Sequence, residues 1–154
     1  MSFERAGGFD LERLRAFLEE SDLTLAGLDC GTVRLWVERD ADHIIVGSTG
    51  YEISEDRQHA LIRSVAVSPE SRKVGAGSRL ARFALSEAAK EGARNAWLFS
   101  RRSGPFWQKL GFVSADREQL ASVLANTHQV KLFTSTGQLS REVAWSKSLT
   151  ASIR

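Results

Sequence analysis

The sequence predicts an α+β domain with a mixed β-sheet. Apolar residues recur at helical spacing in residues 11–18 and 76–91. Short apolar runs typical of strands occupy residues 61–67 and 95–100, on either side of the second helix. Two strands joined through a helix run parallel with a right-handed crossover, so this part of the chain is expected to form a β-loop-α-β unit. The length of 154 residues is that of one domain, which we expect to span residues 1–154.

The first third of the chain predicts a helix followed by a β-hairpin. Residues 11–18 place their apolar side chains on one helix face, with charged residues between them. Residues 32–38 and 43–53 are rich in Val, Ile, Leu and aromatic residues, a composition typical of strands. The polar turn at residues 40–42 separates the two runs, so the two strands are expected to pair antiparallel.

The middle of the chain holds the β-loop-α-β unit. Residues 61–67 form a short apolar run of the kind found in a central strand covered on both faces, and Pro69 ends it. A loop then leads into the helix at residues 76–91, which Gly92 closes as the residue after the C-cap. Residues 95–100 form the second strand of the unit.

The elements predicted downstream are shorter. Residues 104–110 predict a helix with Pro105 in its first turn, where proline costs no helical hydrogen bond. The chain turns back into extended structure at residues 111–112, residues 117–124 predict another helix, and residues 142–149 predict a last strand.

Composition places the chain among globular proteins and excludes several classes. The apolar fraction of 42% and the charged fraction of 26% are near the globular average. The single cysteine, Cys30, excludes an internal disulfide, and the three histidines lack metal-ligand spacing, so we expect no metal. We see neither a signal peptide in residues 1–10 nor an apolar run of ~18 residues, and expect a cytoplasmic protein without a membrane partner. The net charge of +2 indicates no nucleic-acid partner.

Residues 72–78, Arg-Lys-Val-Gly-Ala-Gly-Ser, join the predicted central strand to the following helix. The first turn of a helix leaves about four backbone N–H groups without intrahelical partners, and with the helix dipole they attract phosphate. Glycine lets a pyrophosphate approach this backbone, and Arg72 or Lys73 can add charge-assisted contacts. A dinucleotide fingerprint would need a third glycine at position 80, and a Walker loop would need a lysine after Gly77. Taken alone, the pattern fits either a pyrophosphate site or a flexible loop that leads into a helix.

The loop and a second segment together resemble the GNAT N-acetyltransferases. The central strand followed by Arg72-x-x-Gly75-x-Gly77 resembles the family signature R/Q-x-x-G-x-G/A. Residues 106–112, Phe-Trp-Gln-Lys-Leu-Gly-Phe, are similar to the second signature, F-Y-x-K-x-G-F. The resemblance implies a single GNAT-like α/β domain, whose mixed, mostly antiparallel sheet has a central splayed pair of parallel strands and is flanked by helices.

The resemblance also implies an enzyme that transfers an acetyl group from acetyl-CoA to an amine. Backbone groups of Val65 and Val67 would pair with the pantetheine arm between the splayed strands, and N–H groups of residues 74–78 would hold the pyrophosphate. The amine would attack directly in a ternary complex, and a main-chain N–H on the first splayed strand would stabilise the oxyanion. The cofactor-binding residues implied in this way are Val65, Ala66, Val67, Arg72, Lys73, Val74, Gly75, Ala76, Gly77, Ser78, Ser100, Phe106 and Trp107.

Two positions depart from the family pattern. The tyrosine that commonly protonates the leaving thiolate corresponds to Trp107, whose indole N–H is too weak an acid for this task. Either solvent or another group must then protonate the thiolate. The asparagine that is frequent at the end of the second splayed strand corresponds to Ser100, whose hydroxyl is a candidate for a catalytic or cofactor hydrogen bond.

Three charged residues are further candidates. Glu52 is the best placed carboxylate for a general base, with a solvated strand residue as the alternative. Arg63 interrupts an apolar strand, where an unpaired charge is costly. It either pairs with Glu52 as a structural bridge or receives the carboxylate of an amino-acid-like substrate. Arg101 follows the second splayed strand and is either a substrate-binding residue or a surface charge.

The central strand, the Phe106-Trp107 pair and the tail at residues 117–149 are also similar to GNAT proteins encoded in arsenic-resistance operons. Those proteins have phenylalanine in place of the motif tyrosine. This resemblance favours a small-molecule acceptor, so we expect transfer to the primary amine of an amino-acid-like compound. The alternatives are an acetyltransferase for protein N termini or lysines, and a catalytically idle acyl-CoA-binding module. Family relatives are often dimers, so the resemblance also allows a homodimer.

Overall fold

A computed structural model describes residues 3–7, 10–21, 23, 27, 32–71 and 75–149. These residues form one seven-stranded sheet with helices on both faces. In chain order the strands and helices are β1 (Glu4–Arg5), α1 (Leu11–Glu20), β2 (Val33–Arg39), β3 (Ile45–Ile53), β4 (His59–Val67), α2 (Ala76–Lys90), β5 (Asn95–Phe99), α3 (Gly104–Lys109), β6 (Val113–Ala115), α4 (Arg117–Val123), α5 (His128–Thr136) and β7 (Ala144–Ser148).

The strand order across the sheet is β1-β2-β3-β4-β5-β7-β6. Strands β4 and β5 are parallel and are connected through α2, whereas the other neighbouring strands pair antiparallel. The parallel pairing is short, because it ends where Leu61 faces Trp97 although β4 continues to Val67. The predicted α+β fold, with a mostly antiparallel sheet and a splayed parallel pair, is confirmed.

Apolar layers cover both faces of the sheet. On one face, α2 and α3 pack against the central strands around side chains such as Tyr51, Ile62 and Leu98. On the opposite face, α1 packs over β2, and α4 and α5 pack over β4 and β5 through a cluster that includes Leu61 and Trp97. Alternate residues of each central strand therefore belong to different layers, as expected for a strand with two covered faces.

Two elements lie outside the sequence prediction. Helix α5 begins at Thr127, whose side chain accepts a hydrogen bond from the Val130 N–H, and it ends at Gly137 with a φ of 77°. These are an N-cap and a left-handed C-terminal glycine of the usual kind. Strand β1 has two residues and forms by pairing with β2. Local signals were therefore present for α5, whereas β1 depends on its partner strand.

Strand β4 contains a β-bulge that the sequence did not predict. Gly50 of β3 pairs with Arg63, but Ser48 pairs with Ala66, so Ser64 and the residue after it lie opposite a single residue of β3. Ser64 has a φ of 62°, in the left-handed region that non-glycine residues rarely adopt. The bulge shifts the alternation of side chains along the second half of β4.

Candidate active site

A cleft of about 850 Å³ opens where β4 and β5 separate. Its volume lies within the range of about 300–1,000 Å³ that small-molecule sites occupy. The walls come from the second half of β4, the start of α2, the helix α3 and the end of α1. The lining residues are Ser21, Leu23, Val65, Ala66, Val67, Gly75, Ala76, Gly77, Ser78, Ser103, Pro105, Phe106, Trp107 and Lys109.

Backbone groups of β4 point into this cleft. The Ser68 N–H donates to the Val46 carbonyl at 2.8 Å, on the β3 side of the strand. Since backbone N–H groups alternate between the two edges of a strand, the N–H groups of Val67 and Val65 point away from β3. They face the space that β5 would occupy if the parallel pairing continued.

The start of α2 forms the second wall. Gly75 occupies the N-cap position with a φ of 89°, and no side chain of the described residues caps this helix. The first intrahelical bond runs from the Arg79 N–H to the Gly75 carbonyl at 2.9 Å, so the N–H groups of residues 76–78 have no intrahelical acceptor. A β-carbon on Gly77 would lie 3.3 Å from the Phe106 ring, which places α3 directly across the cleft. Arg72, Lys73 and Val74, which the sequence assigned to the pyrophosphate, lie outside the described residues.

Helix α3 forms the third wall with aromatic side chains. The rings of Phe106 and Trp107 are 4.9 Å apart and nearly perpendicular, and Trp107 also packs against Phe112 in the core. The helix is fixed to β7 by close packing, because a β-carbon on Gly104 would lie 2.9 Å from the Trp145 indole. Trp107 is 7% exposed and thus serves as a packed wall of the cleft.

Ser100 and Arg101 form local contacts at the end of β5. The Ser100 hydroxyl oxygen accepts a hydrogen bond from the Ser103 N–H at 3.1 Å, and the Ser100 carbonyl accepts one from the Trp145 indole at 2.9 Å. The Arg101 guanidinium lies 3.5 Å from a Glu142 carboxylate oxygen and its side chain is 46% exposed. Neither residue is among those that line the cleft in the described part of the chain.

Arg63 and Glu52 form a buried ion pair. Their side chains are 0% and 3% exposed, and the Arg63 Nη1 lies 2.9 Å from the Glu52 Oε2. Burial lowers the pKa of Arg63 below its ordinary value, and the attraction of Glu52 opposes this shift. The two Glu52 oxygens also accept hydrogen bonds from the backbone N–H groups of His128 and Gln129 at the start of α5. Of the two interpretations of Arg63, the ion pair with Glu52 is the one observed.

The structure thus brings most of the expected cofactor residues together and separates them from the charged candidates. Glu52 and Arg63 do not line the cleft as far as the described residues define it. Five residues that line the cleft were not predicted from the sequence, namely Ser21, Leu23, Ser103, Pro105 and Lys109. Lys109 belongs to the second signature, so the motif could have indicated it, whereas Ser21 and Leu23 reach the cleft only because α1 packs beside it.

Within the described ranges, no group of three or more His, Cys, Asp or Glu side chains is arranged to hold a metal ion. No helix in these ranges has the length and apolar character needed to cross a membrane.

The family model described as the acetyltransferase (GNAT) family matches residues 8–112 of this chain. A comparison with curated proteins finds no match.

Several solved structures share the fold. N-acetylglutamate synthase from Neisseria gonorrhoeae, complexed with coenzyme A and N-acetyl-glutamate, has a TM-score of 0.76 at 19% identity, over 96% of this chain and 35% of that chain. The present chain therefore spans about a third of the synthase. A GNAT-family acetyltransferase from Staphylococcus aureus Mu50 has a TM-score of 0.73 at 12% identity, over 97% and 99% of the two chains. Aminoglycoside 6'-N-acetyltransferase complexed with coenzyme A has a TM-score of 0.68 at 12% identity, over 97% of both chains.

Proposed function

Since the chain belongs to the GNAT family of acetyltransferases, we propose that it transfers an acetyl group from acetyl-CoA to the primary amine of a small, amino-acid-like molecule. One observation carries this proposal. The parallel strands β4 and β5 separate beside an uncapped, glycine-lined helix start, and a cleft of suitable volume opens between them.

Each part of acetyl-CoA has a matching feature in the cleft. The pantetheine arm is an extended chain with amide groups, and it can pair with the backbone of Val65 as a strand would. The pyrophosphate fits the N–H groups at the start of α2, where the helix dipole favours an anion. The N-acetylglutamate synthase and the aminoglycoside acetyltransferase described above are both complexed with coenzyme A, which supports acetyl-CoA as the acetyl donor.

The reaction joins the acceptor nitrogen to the thioester carbon and breaks the carbon–sulfur bond. As the amine attacks, negative charge develops on the thioester oxygen, and the N–H of Val65 is the proposed donor that stabilises it. The nitrogen then loses a proton, and the departing thiolate gains one. Because thiols have a pKa near 8.5, the thiolate is a moderate leaving group that can take its proton from solvent, without an acid at Trp107.

The acceptor amine must be neutral to attack, and the structure bears on which group takes its proton. Glu52 is buried, and its oxygens accept hydrogen bonds from Arg63 and from two backbone N–H groups. These contacts indicate that the Glu52 carboxylate positions β4. They are less suited to a group that exchanges protons with an acceptor. We propose that the proton leaves through solvent in the open cleft, so that catalysis depends mainly on positioning and on the oxyanion donor.

The face of the sheet opposite α2 supports a small acceptor. Helices α4 and α5 cover β4 and β5 there, and His128 of α5 lies close to Gly27. A β-carbon on Gly27 would lie 2.5 Å from the His128 ring. Such closure restricts the space for a polypeptide acceptor. N-acetyl-glutamate, an acylated amino acid, occupies the similar synthase structure, and the likeness to proteins of arsenic-resistance operons points to the same acceptor class.

Calorimetry with acetyl-CoA and with free coenzyme A, followed by thiol release with a panel of amines, tests the function. We expect binding of the thioester, and thiol release with small amino-acid-like amines. A peptide with a free N terminus and a lysine is the matched acceptor control. Release with the peptide alone would favour a protein acetyltransferase, and binding without release would favour the idle module. Failure to bind any coenzyme A thioester would overturn the proposal.

A further inference from the structure

We infer that Arg101 binds the carboxylate of a free amino acid as the acceptor, and that Glu142 and Gln138 are positioning residues that hold the Arg101 guanidinium for this contact. The inference rests on the proposed function and deepens it, because it names the group of the acceptor that the protein recognises. It also separates a free amino acid from the N terminus of a polypeptide, in which an amide takes the place of that carboxylate.

The acceptor side of the cleft lies opposite α2. The start of α2 and the helix α3 form the side proposed for acetyl-CoA, whereas Ser21 and Leu23 line the cleft from the end of α1. Because α1 packs on the other face of the sheet, the cleft reaches both faces through the gap between β4 and β5. With the cofactor on the α2 side, an acceptor amine approaches the thioester from the side of α1, α4 and α5.

Arg101 and Glu142 lie on this acceptor side, where β5 ends and β7 begins. Phe99 of β5 pairs with Ala144 of β7, and both belong to the layer beneath α4 and α5. The Ser100 N–H donates to the carbonyl of the residue before Ala144 at 2.9 Å, so the pairing continues beyond β5. Since side chains alternate between the two faces of a sheet, the next opposite pair, Arg101 and Glu142, lies on the face of α4 and α5.

Arg101 is also close to the cleft. It precedes Ser103, a lining residue beside α3, by two positions, and two residues of extended chain span at most about 7 Å. Arg63, the other arginine that the sequence indicated for an acceptor carboxylate, is fully buried and paired with Glu52. The Arg101 side chain is 46% exposed, so it can contact a ligand at the mouth of the cleft without displacing a buried partner.

The contacts of Arg101 leave its terminal nitrogens for a ligand. Its Nε lies 3.5 Å from the Glu142 Oε2, and among the described residues the guanidinium forms no hydrogen bond. The Glu142 side chain is 6% exposed and is oriented by Gln138, whose Nε2 donates to the Glu142 Oε2 at 2.7 Å. With this carboxylate beside Nε, we assign the Nη1 and Nη2 N–H groups to the acceptor, because two parallel N–H groups match the two oxygens of a carboxylate.

A free amino acid carries the complementary group close to its reacting nitrogen. Its carboxylate and its amine are attached to the same carbon, so one molecule can contact Arg101 and present the amine to the thioester. A protein N terminus and a lysine side chain lack this carboxylate and would leave the arginine without its ligand. Arg101 is therefore expected to favour free amino acids over peptides and over amines without an acid group.

Matched acceptors test the inference. Thiol release from acetyl-CoA is measured with the common L-amino acids and with the α-carboxamide of each, which lacks the charge at the proposed contact. The acid-to-amide ratio of kcat/KM is compared between variants, so that the different basicity of the two amines cancels. We expect Arg101→Gln to lower this ratio about 100-fold, mainly through a higher KM for the acids, and Arg101→Lys to lower it less.

Two further variants define the positioning role and the control. Glu142→Gln keeps the shape of the side chain and removes the charge beside the Arg101 Nε, so the acid-to-amide ratio should fall by about 5-fold. Arg102→Gln is the matched control, because it removes the same charge from the neighbouring exposed residue. Its acid-to-amide ratio should equal that of the unaltered protein.

Calorimetry separates this inference from the proposed function. Each variant should bind acetyl-CoA with the Kd of the unaltered protein, because neither Arg101 nor Glu142 lines the described part of the cleft. An unchanged acid-to-amide ratio in Arg101→Gln, or equal kcat/KM for free amino acids and for a peptide with a free N terminus, would overturn the inference and leave the transferase function intact. If the unaltered protein bound no thioester, the proposed function itself would fail.

Discussion

The two ends of the β4–β5 pair differ in whether the backbones of the two strands are hydrogen-bonded to each other. At the closed end, residues 59–61 pair with residues 95–97. The Trp97 indole donates a hydrogen bond to His59 there, and the Gln58 carbonyl accepts hydrogen bonds from the N–H groups of Arg94 and Asn95. At the open end, beyond Leu61 and Trp97, the strands separate and the cleft begins. The strands are hydrogen-bonded to each other at one end, whereas at the other end the second half of β4 lines the cleft, which is the proposed ligand site.

Helix α2 repeats this contrast along its length. Its last turn lies at the closed end, where Glu91 binds Arg34 through two hydrogen bonds of 2.8 and 2.9 Å and accepts a third from the Tyr51 hydroxyl. Its first turn lies at the open end and has no side-chain cap among the described residues. Side-chain hydrogen bonds thus stabilise one end of the unit, and the proposed ligand site lies at the other, so substitutions at the two ends should have separable effects.

The largest expected effect is at the closed end. Leu61 is fully buried between the sheet and α4–α5, so Leu61→Ala should lower the free energy of unfolding by about 3 kcal/mol. Val65 lies at the open end and is half-buried, so Val65→Ala should lower the free energy of unfolding by about 1 kcal/mol or less. Urea denaturation measures both values. Equal losses in the two variants would contradict the proposed division between the ends.

The next effect is on ligand binding at the open end. In Gly77→Val the new side chain would meet the Phe106 ring and cover the first amides of α2. We expect the Kd for acetyl-CoA to rise about 100-fold, which corresponds to about 2.7 kcal/mol. Gly92→Ala, just beyond the other end of the same helix, is the control. Gly92 has a φ of 105°, so this variant should lose stability and keep its affinity in calorimetry.

The smallest effect concerns the pH dependence of stability at the closed end. Burial opposes ionisation of Glu91, but hydrogen bonds from Arg34 and Tyr51 outweigh it and hold the pKa of Glu91 below its ordinary value. A carboxylate with a lowered folded-state pKa stabilises the protein above its unfolded pKa, and this contribution is lost as the pH falls through the folded pKa. Glu91→Gln should therefore be less stable than the unaltered protein by about 1 kcal/mol at neutral pH.

Thermal unfolding at a series of pH values measures this difference. It should shrink as the pH falls below about 4. Glu87→Gln is a control, because Glu87 pairs with the largely exposed Lys90 on the helix surface and should have almost no effect. A difference that stayed constant down to pH 3 would contradict the assignment.

The sequence predicted most residues of the cleft walls because their signals are local. Gly75 and Gly77 mark a helix start, and the apolar strand before them marks the neighbouring wall. The resemblance to the GNAT family is confirmed by the family match. Arg63 attracted attention as a charge in an apolar strand, and its pairing with Glu52 was one of the two interpretations.

What the sequence did not predict depends on contacts between distant parts of the chain. The residues around Ser64 in the sequence give no sign of a bulge. The bulge follows from the register in which β4 pairs with β3. Ser21 borders the cleft because α1 packs beside β4, and no motif marks it. Helix α5 was missed although Thr127 and Gly137 mark its ends, because its short apolar face gives a weak periodic signal.

The bulge has a consequence for how β4 can vary. Leu61 belongs to the layer beneath α4 and α5, and Ala66, five positions later, belongs to the layer on the same side of the sheet. In a regular strand, residues five positions apart face opposite sides of the sheet. Leu61 and Ala66 face the same side because the bulge at Ser64 adds one residue. Deletion of this one position would move the side chains from Val65 onward to the opposite face of the sheet. The number of residues in this strand therefore determines which side chains face α2 and which face α1.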